Sequence, residues 1–580
     1  MTPPATPAVA HTTARPLDGL RLEASGPPGP ADGLVAEHLR LLGAEGAAHP
    51  GGHITLGGPE FNGITTHTRW GDRALDEATV QAATGIMAVH GRRGGTPRGL
   101  AVDYAATATG VLAVQALLAG LLAQARGVQV TGAEVSAERA GLLAVSQYLA
   151  AAGAEEGEAA EVAPGGPPFT CADGVVFELE TLDPSAWAAF WGALEAPRDA
   201  VRRGWRPFQF RYATACAPFP QSLHDAARAA AWELIQDAAR SSGAEVCPLR
   251  SLAERAAEYD GAPPWELTPH GASYSGRAAG QADAPLAGLT VLEAGRRIQA
   301  PLTAHLLGLL GAEVVRIEPP GGDPLRGMPP ACSGISARWL ALNRGKKAVE
   351  VDIKSPADRV RLRAMAAEAD VFLHNWAPGK AAELGLDHEH LSAVNPALVY
   401  AYTSGWAGRL QEAPMGTDFM VQARTGVGEA ARPADEPPAP SLMTLLDVLG
   451  GLIGAEAVLS GLLLRQRTGA GVRVDSSLLG AADVLTAAAR ARAAQGLDPR
   501  RPAGFRRPLP TADGWLAVPD HSAVPYDVRD LSTARALERL REDGLSAVPV
   551  VTDLADLLSS GSISLDAHGA PAVPDPWRFA

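Results

Sequence analysis

The sequence predicts an α/β protein whose main unit is a doubly wound parallel sheet, present twice in one chain. Three observations carry that prediction. From Pro285 onward, short β-branched runs alternate with helical segments, the pattern of strands joined by crossover helices. A series of short motifs occurs in the first half and again, in the same order, in the second. The length of 580 residues exceeds what one compact core fills, so two or more domains are expected.

In chain order, Leu289 to Glu293, Glu313 to Ile317, Ala348 to Ile353, Asp370 to His374 and Leu398 to Tyr402 read as strands. Pro301 to Leu310 and Pro356 to Ala369 read as helices between them, and Ser355 supplies an N-cap before a proline at the first helical position. Ligands of such a sheet sit beyond the carboxyl ends of its strands. The turn after the first strand, Ala294-Gly295-Arg296-Arg297-Ile298-Gln299-Ala300-Pro301, lacks the G-x-G-x-x-G spacing that lets a dinucleotide pyrophosphate approach, which argues against an NAD-dependent dehydrogenase. Basic residues gather near the strand ends instead: Arg316, Arg326 after Gly321-Gly322-Asp323, and Arg344, Lys346 and Lys347 after Leu342-Asn343. On an acidic protein this grouping suits a polyphosphate ligand; it also fits an exposed charge run on a loop.

The repeat is dense. Asp103 is followed by Gly110 and Gly127-Val128-Gln129-Val130, and Asp447, at identical spacings, by Gly454 and Gly471-Val472-Arg473-Val474. Leu22-Glu23-Ala24 and Leu41-Leu42-Gly43-Ala44-Glu45 echo Leu292-Glu293-Ala294 and Leu309-Leu310-Gly311-Ala312-Glu313. Val80-Gln81-Ala82-Ala83-Thr84-Gly85 echoes Val421-Gln422-Ala423-Arg424-Thr425-Gly426, and Ala172-Asp173-Gly174 echoes Ala512-Asp513-Gly514. The Pro/Gly/Ser-rich stretch 260–284 reads as the linker between the copies, and residues 1–15 as a disordered leader. The copies differ in what they lack. Glu45 and Glu77 lie 32 positions apart where Glu313 and Asp418 lie 105 apart, whereas Asp173 and Gly243 lie 70 apart where Asp513 and Gly544 lie 31 apart.

A net charge of −14 and a pI near 5.5 argue against nucleic acid or an anionic membrane as the main partner. Cys171, Cys216, Cys247 and Cys332 form no C-x-x-C pair, so reduced, buried thiols and a cytoplasmic location are expected. Two long apolar runs, about Ala105 to Ala123 and Leu445 to Leu464, carry Gln115 and Glu456 and read as core helices rather than membrane spans. His388 and His390 find no further ligands in register, so a solvated helix turn is preferred to a zinc site.

One stretch stands out for chemistry: Met415-Gly416-Thr417-Asp418-Phe419-Met420-Val421-Gln422-Ala423-Arg424-Thr425-Gly426. It places a carboxylate after a small-residue turn, at the mouth of an apolar segment, where backbone N–H groups hold it and water is partly excluded. By itself the same arrangement also fits a helix cap.

The second copy runs Pro285-Leu286-Ala287-Gly288-Leu289, then Gly311-Ala312-Glu313-Val314-Val315-Arg316-Ile317-Glu318-Pro319, Gly322-Asp323-Pro324-Leu325-Arg326 and Leu342-Asn343-Arg344-Gly345-Lys346. Asn375-Trp376-Ala377-Pro378-Gly379, Thr403-Ser404-Gly405-Trp406 and the Asp418 stretch follow. As an ordered set these motifs resemble the class III CoA-transferase family, also called the CaiB/BaiF type, over nearly the whole chain in two copies. The resemblance implies a Rossmann-like large domain and a small α+β domain, duplicated as an interlocked pseudo-dimer in one polypeptide. A first, degenerate copy over 16–259 would keep a complete small domain, and a second over 285–580 a complete large one. Asp418 would be the covalent catalyst, with Gln422 four residues on, Gln299 and Ala300 near the thioester, and Asn375 and Trp376 lining the coenzyme channel. No tightly bound cofactor is implied: a coenzyme A thioester is the substrate, exchanged with a small carboxylic acid through an aspartyl anhydride and an aspartyl-CoA thioester.

The working site would combine the front domain of the second copy with the back domain of the first, Thr170 to Leu252, and Arg202, Arg203 and Trp205 are candidates for its wall. The first copy has Glu77 where the second has Asp418 and is expected to be a relic. Glu383 replaces an arginine that some members carry, and no glycine-rich lid loop is evident, Pro164-Gly165-Gly166-Pro167 being a poor substitute. An acyl-CoA racemase or isomerase on the same fold is the alternative; it would use a base at position 417, occupied here by threonine, with Asp447 as a possible second carboxylate. A non-catalytic acyl-CoA-binding protein is the third reading.

Overall fold

The computed structural model describes residues 14–46, 51–271, 274 and 284–580. In the second half, six parallel strands run in the spatial order Lys347–Glu350, Glu313–Glu318, Thr290–Ala294, Val371–His374, Val399–Ser404, Gly471–Ser477. Numbered along the chain this is 3-2-1-4-5-6, the doubly wound order, whose direction of winding reverses between Thr290–Ala294 and Val371–His374. The strands expected from β-branched runs are all present, displaced by up to three residues at their ends. Helices Gln299–Leu309 and Pro356–Glu368 form as expected, the latter capped by Ser355.

A seventh strand, Trp265–His270, pairs antiparallel with Gly471–Ser477 and lies inside the stretch expected to be a linker. The correction has a simple cause. Trp265 and Leu267 are buried and Glu266 and Thr268 exposed, a period-two alternation hidden in the sequence by flanking Pro and Gly. The rest of that stretch, and most of the leader, falls outside the described residues.

The first half departs from the doubly wound pattern. Its five-stranded sheet runs Arg21–Ser25, His53–Gly58, Phe61–Arg69, Gly132–Ser136, Trp577–Phe579, and only the Phe61–Arg69 and Gly132–Ser136 pair is parallel. His53–Gly58 and Phe61–Arg69 close as a hairpin, and Arg21–Ser25 pairs antiparallel with His53–Gly58 after helix Asp32–Leu41. Its last strand comes from the C-terminus of the second half, just as the second half's last strand, Trp265–His270, comes from the end of the first. Each half thus lends its terminal strand to the other's sheet.

The two apolar helices Tyr104–Ala125 and Leu445–Thr468 pack side by side at the centre. They are the two helices among the described residues that are long and apolar enough to cross a membrane, and both lie buried inside the protein. Their polar residues bind across the junction: Gln115 Nε2 donates to Leu452 O at 2.7 Å, and Glu456 meets His38 Nδ1 at 2.9 Å. At Gly454 an added Cβ would stand 2.6 Å from Thr303 Oγ1, so the glycine lets helix Gln299–Leu309 lie against the central helix.

Each half also carries a small sheet. The first, Phe169–Thr170, Val176–Glu180 and Glu245–Pro248, is covered by helices Pro184–Ala193, Arg198–Thr214, Gln221–Ala229 and Trp232–Ser242 over an aromatic core that includes Trp187, Trp191 and Phe208. The second, Leu509–Pro510, Trp515–Ala517 and Val548–Pro549, has one accompanying helix, Thr533–Glu542. All four cysteines are buried and free.

Candidate active site

A cavity of about 830 Å³ opens at the switch point of the doubly wound sheet. Its walls come from both halves. The turn Arg296 to Gln299, the stretch Asn375 to Gly379 and the loop Tyr402 to Gly408 belong to the second half; Glu180, Tyr212 and Glu245 belong to the first.

Asp418 forms part of the lining and is the first residue of helix Asp418–Arg424, with 3% of its surface exposed. Donors hold both oxygens of its carboxylate. Gln422 Nε2 reaches Oδ1 at 2.5 Å, as the i, i+4 spacing allows, and the backbone N–H of Asp447 reaches Oδ2 at 2.6 Å. The amide of Gln422 is oriented by Ser441, whose N–H donates to Oε1 at 2.8 Å and whose C=O accepts from Nε2 at 2.9 Å. Asp447 lies in the first turn of helix Leu445–Thr468, so the carboxylate faces the positive end of a 24-residue helix. Burial nevertheless pushes Asp418 up to about 6, opposed by the Gln422, Asp447 and Leu446 hydrogen bonds and assisted by the Glu180 charge. Burial and the neighbouring Asp418 charge raise Asp447 further, with Arg297 pulling the other way. The two titrate as a pair that keeps one proton more readily than two isolated carboxyls would.

The turn before Asp418 is fixed from the other half of the chain. Thr417 Oγ1 donates to Glu180 Oε2 at 2.8 Å, and the N–H of Met415 donates to Glu245 Oε2. Glu180 and Glu245 are register partners on adjacent strands of the first small sheet, and Arg211 holds Glu180 from behind at 3.0 Å. Gly405 and Gly416 bring two strands of loop into backbone contact: a Cβ on Gly405 would sit 2.4 Å from Gly416 Cα. Three non-glycine residues with left-handed backbone, Arg297 (φ 63°), Ala407 (φ 50°) and Thr444 (φ 56°), line this one cavity. Such strain is held only where the surroundings over-determine it.

The residues singled out from the sequence separate into two groups. Gln299, Asn375, Trp376 and Asp447 line the cavity with Asp418; Gln422 stands behind Asp418, and Ala300 is buried beneath the turn. Asn375 clamps that turn, accepting from Arg296 N–H at 2.8 Å and donating to Arg296 O at 3.0 Å. The basic cluster is a correction. Arg316 is buried and paired with Glu293, Glu318 and Asp323; Lys346 donates to Glu293 Oε2, Asn343 Oδ1 and Pro301 O, and burial lowers it to about 8. Arg326 pairs with Glu318 and stacks 3.8 Å over Trp339, and Arg344 stands away from the cavity lining. Glu293, Glu318 and Asp323 consume the charges of Arg316, Arg326 and Lys346, which bind the sheet together rather than line the cavity.

Arg202 and Arg203 are exposed and pair with Asp199, and Trp205 packs beside Trp187 and Phe208, so none forms the cavity wall expected of it. His388 meets His270 and His390 meets Asp387, and no cluster of three metal-ligating side chains occurs among the described residues. Glu180, Tyr212, Glu245 and Arg297 were not anticipated. The available signal was Glu178 and Glu180 in an otherwise apolar strand, where buried carboxylates need a purpose.

The first half holds the same constellation closed. Gln81 donates to Glu77 Oε1 at 2.8 Å and is oriented by Leu100, nineteen positions on, as Gln422 is by Ser441. Glu77 accepts from Ala105 and Ala106 N–H, both at 2.8 Å. Beside Glu77 stands Arg506, 1% of its side chain exposed, bound to Leu100 O, Val102 O, Asp103 and Asp520, and a cavity of about 500 Å³ that Asp103 and Ala106 line does not include Glu77. Asp103 precedes helix Tyr104–Ala125, whereas Asp447 lies within the matching helix, which starts three residues earlier relative to the repeat.

Residues 63–261 and 286–544 match CoA-transferase family III. Succinyl-CoA:glutarate CoA-transferase of Mus musculus is 35% identical over 214 residues, covering 36% of this chain and 48% of the relative. Acetyl-CoA:oxalate CoA-transferase of Acetobacter aceti is 35% identical over 198 residues, 33% of this chain and 51% of the relative. The chain spans about half the length of these curated relatives. Among solved structures, a CAIB/BAIF family protein from Brucella suis is 26% identical, with 51% of this chain and 93% of that one covered and a TM-score of 0.45.

Proposed function

The chain belongs to CoA-transferase family III, and from that premise we propose that it moves coenzyme A from an acyl-CoA donor to a carboxylic acid at Asp418. The observation that carries the proposal is the Asp418 carboxylate itself, desolvated at the edge of an 830 Å³ cavity with each oxygen held by a donor. Asp418 attacks the thioester carbonyl, giving an acyl-aspartyl anhydride and CoA thiolate. The thiolate attacks the aspartyl carbonyl, giving an aspartyl-CoA thioester and the free donor acid. The acceptor carboxylate attacks that thioester to form a second anhydride, and the released thiolate takes its acyl group to leave acyl-CoA and Asp418. No bond energy is lost to water, provided that water is excluded from both intermediates. Gln422 and the N-terminus of helix Leu445–Thr468 keep the carboxylate aimed and stabilise the negative charge that returns to it at each step.

The chain is best read as a dimer fused into one polypeptide and then reduced, with one working site made by the second half's sheet and the first half's small domain. The exchanged terminal strands and the contacts of Glu180 and Glu245 with the Asp418 turn support this reading. The isomerase alternative has less support, because Thr417 spends its hydroxyl proton on Glu180 and no base stands at that position.

Incubation with acyl-CoA, hydroxylamine trapping and mass analysis of the Asp418 peptide tests the proposal. A hydroxamate on Asp418 that vanishes in Asp418→Asn is expected. Solvent deuterium at the substrate α-carbon with no adduct would replace transfer by isomerisation, and neither signal would leave only binding.

A further inference from the structure

Arg297 is not needed by the reaction as written, yet it occupies a costly position. Its φ of 63° is a conformation in which a glycine would be free of strain and an arginine is not. The Asn375 amide imposes that geometry by binding both backbone groups of Arg296. What arginine adds over glycine is a guanidinium lining the cavity, exposed to its interior. No hydrogen bond or ion pair engages that guanidinium among the described residues; it lies 5.7 Å from the ring of Tyr212, contributed by the first half, and its charge acts on Asp447. Of the other cations, Arg473 in the lining and Arg211 behind Glu180 are each paired with a carboxylate. Arg296 also lines the cavity without an ion pair among the described residues, but its backbone is the part clamped by Asn375, and the strained backbone and the contact with Tyr212 belong to Arg297.

The rest of the lining holds five carboxylates, Glu180, Glu245, Asp418, Asp447 and Asp475, against two arginines, Arg296 and Arg473, the latter paired with Asp475. A monocarboxylate enters this field with its charge consumed at the reacting end, beside Asp418. A second carboxylate would be repelled unless a fixed cation met it, and a guanidinium fork matches a carboxylate in two parallel hydrogen bonds.

We propose that Arg297, backed by Tyr212, anchors the non-reacting carboxylate of a dicarboxylic substrate and so makes the site selective for dicarboxylic over monocarboxylic acids of equal length. The proposal rests on the CoA-transfer reading and adds the substrate class and the residue that selects it.

The test compares the full chain with Arg297→Met, Arg297→Lys and Arg296→Met. For each, kcat/KM is measured with succinate and glutarate against butyrate and valerate as acceptors, and KM for the acyl-CoA is measured separately. Wild type is expected to prefer the dicarboxylates. Arg297→Met is expected to lose roughly 10- to 100-fold with them, the worth of a charge-assisted pair, and to change less than about threefold with the monocarboxylates. Lysine should restore part of the loss, chiefly in KM. Equal losses for both acid classes, the same loss in Arg296→Met, or an effect confined to the KM of acyl-CoA would overturn the proposal, the last by making Arg297 a coenzyme contact. Adduct formation on Asp418 is scored independently, so a failure of the transfer reading is seen as such. In that event calorimetric titration of glutarate into wild type and Arg297→Met still decides: weaker binding to the variant supports the anchor, and equal binding removes it.

Discussion

The amide of Gln422 donates to Oδ1 of Asp418 at 2.5 Å while its own orientation is dictated by the backbone of Ser441. In the proposed reaction this carboxyl group passes through four acyl substitutions per turnover, and it needs this kind of fixed partner because a shift of 1 Å at a reacting oxygen costs about 100-fold in rate. Gln422→Ala should therefore slow formation of the Asp418 adduct by roughly 10- to 100-fold at neutral pH. It should also move the acid limb of the pH profile upward, since the lost hydrogen bond was lowering Asp418; single-turnover kinetics from pH 5 to 8 would show both.

Asp418→Asn should abolish the adduct and lower exchange by on the order of 10⁴-fold or more, as removal of a covalent nucleophile does. Asp418→Glu should be nearly as inactive. The extra methylene drives the carboxylate into the N-terminus of helix Leu445–Thr468, the bond that Glu77 makes with Ala105 and Ala106 in the closed first half. Peptide mass analysis after acyl-CoA exposure checks both.

The pH dependence has two faces. In the proposed reaction Asp418 attacks as the ionised carboxylate, so the single-turnover rate should fall as pH drops through about 6. For stability the sign is opposite. The folded-state value lies above the ordinary aspartate value, so the folded chain binds more protons than the unfolded one between them. The cost of the buried charge is absent below the unfolded value and complete above about 6. Asp418→Asn should accordingly melt higher than wild type at pH 8, with the gap closing towards pH 5, read by calorimetry.

The cavity is walled by both halves. Residues 285–580 expressed alone lack Glu180, Glu245 and the strand Trp265–His270, and helix Leu445–Thr468 loses its partner Tyr104–Ala125. This fragment should be aggregation-prone and form no Asp418 adduct. In the full chain, Glu180→Ala should leave the buried Arg211 without its carboxylate and free Thr417, lowering adduct formation by about 10-fold and costing about 3 kcal/mol or more of stability.

Arg506→Ala should destabilise the fold by about 3 kcal/mol or more, because it leaves the mostly buried Asp520 unpaired and the carbonyls of Leu100 and Val102 without this donor, while the more exposed Asp103 keeps Arg501. Denaturant titration measures this. The vacated space should not create activity at Glu77, whose oxygens stay bound to Gln81, Ala105 and Ala106.

Much of this was legible in the one-dimensional chain because it rests on local periodicity and spacing. Alternating β-branched and helical runs specify strands and crossovers within a few residues, and the doubly wound order then places a ligand beyond the first strand. Asp418 and Gln422, four apart on a helix, must meet, and the recurrence of Gln81 beside Glu77 exposed the duplication. What the sequence could not decide was which charges remain free. Arg316, Lys346 and Arg326 looked like a phosphate pocket, but Glu293, Glu318 and Asp323, brought alongside by the pleat of adjacent strands, neutralise them; Arg297, one of two adjacent arginines in a turn, is left facing the cavity. Nor could it show that Glu180 and Glu245, more than 150 residues before Asp418, steady the turn on which that carboxylate sits. Propensity and spacing act over a few residues, whereas ion pairing and desolvation depend on neighbours hundreds of positions away, which only the packed chain assembles.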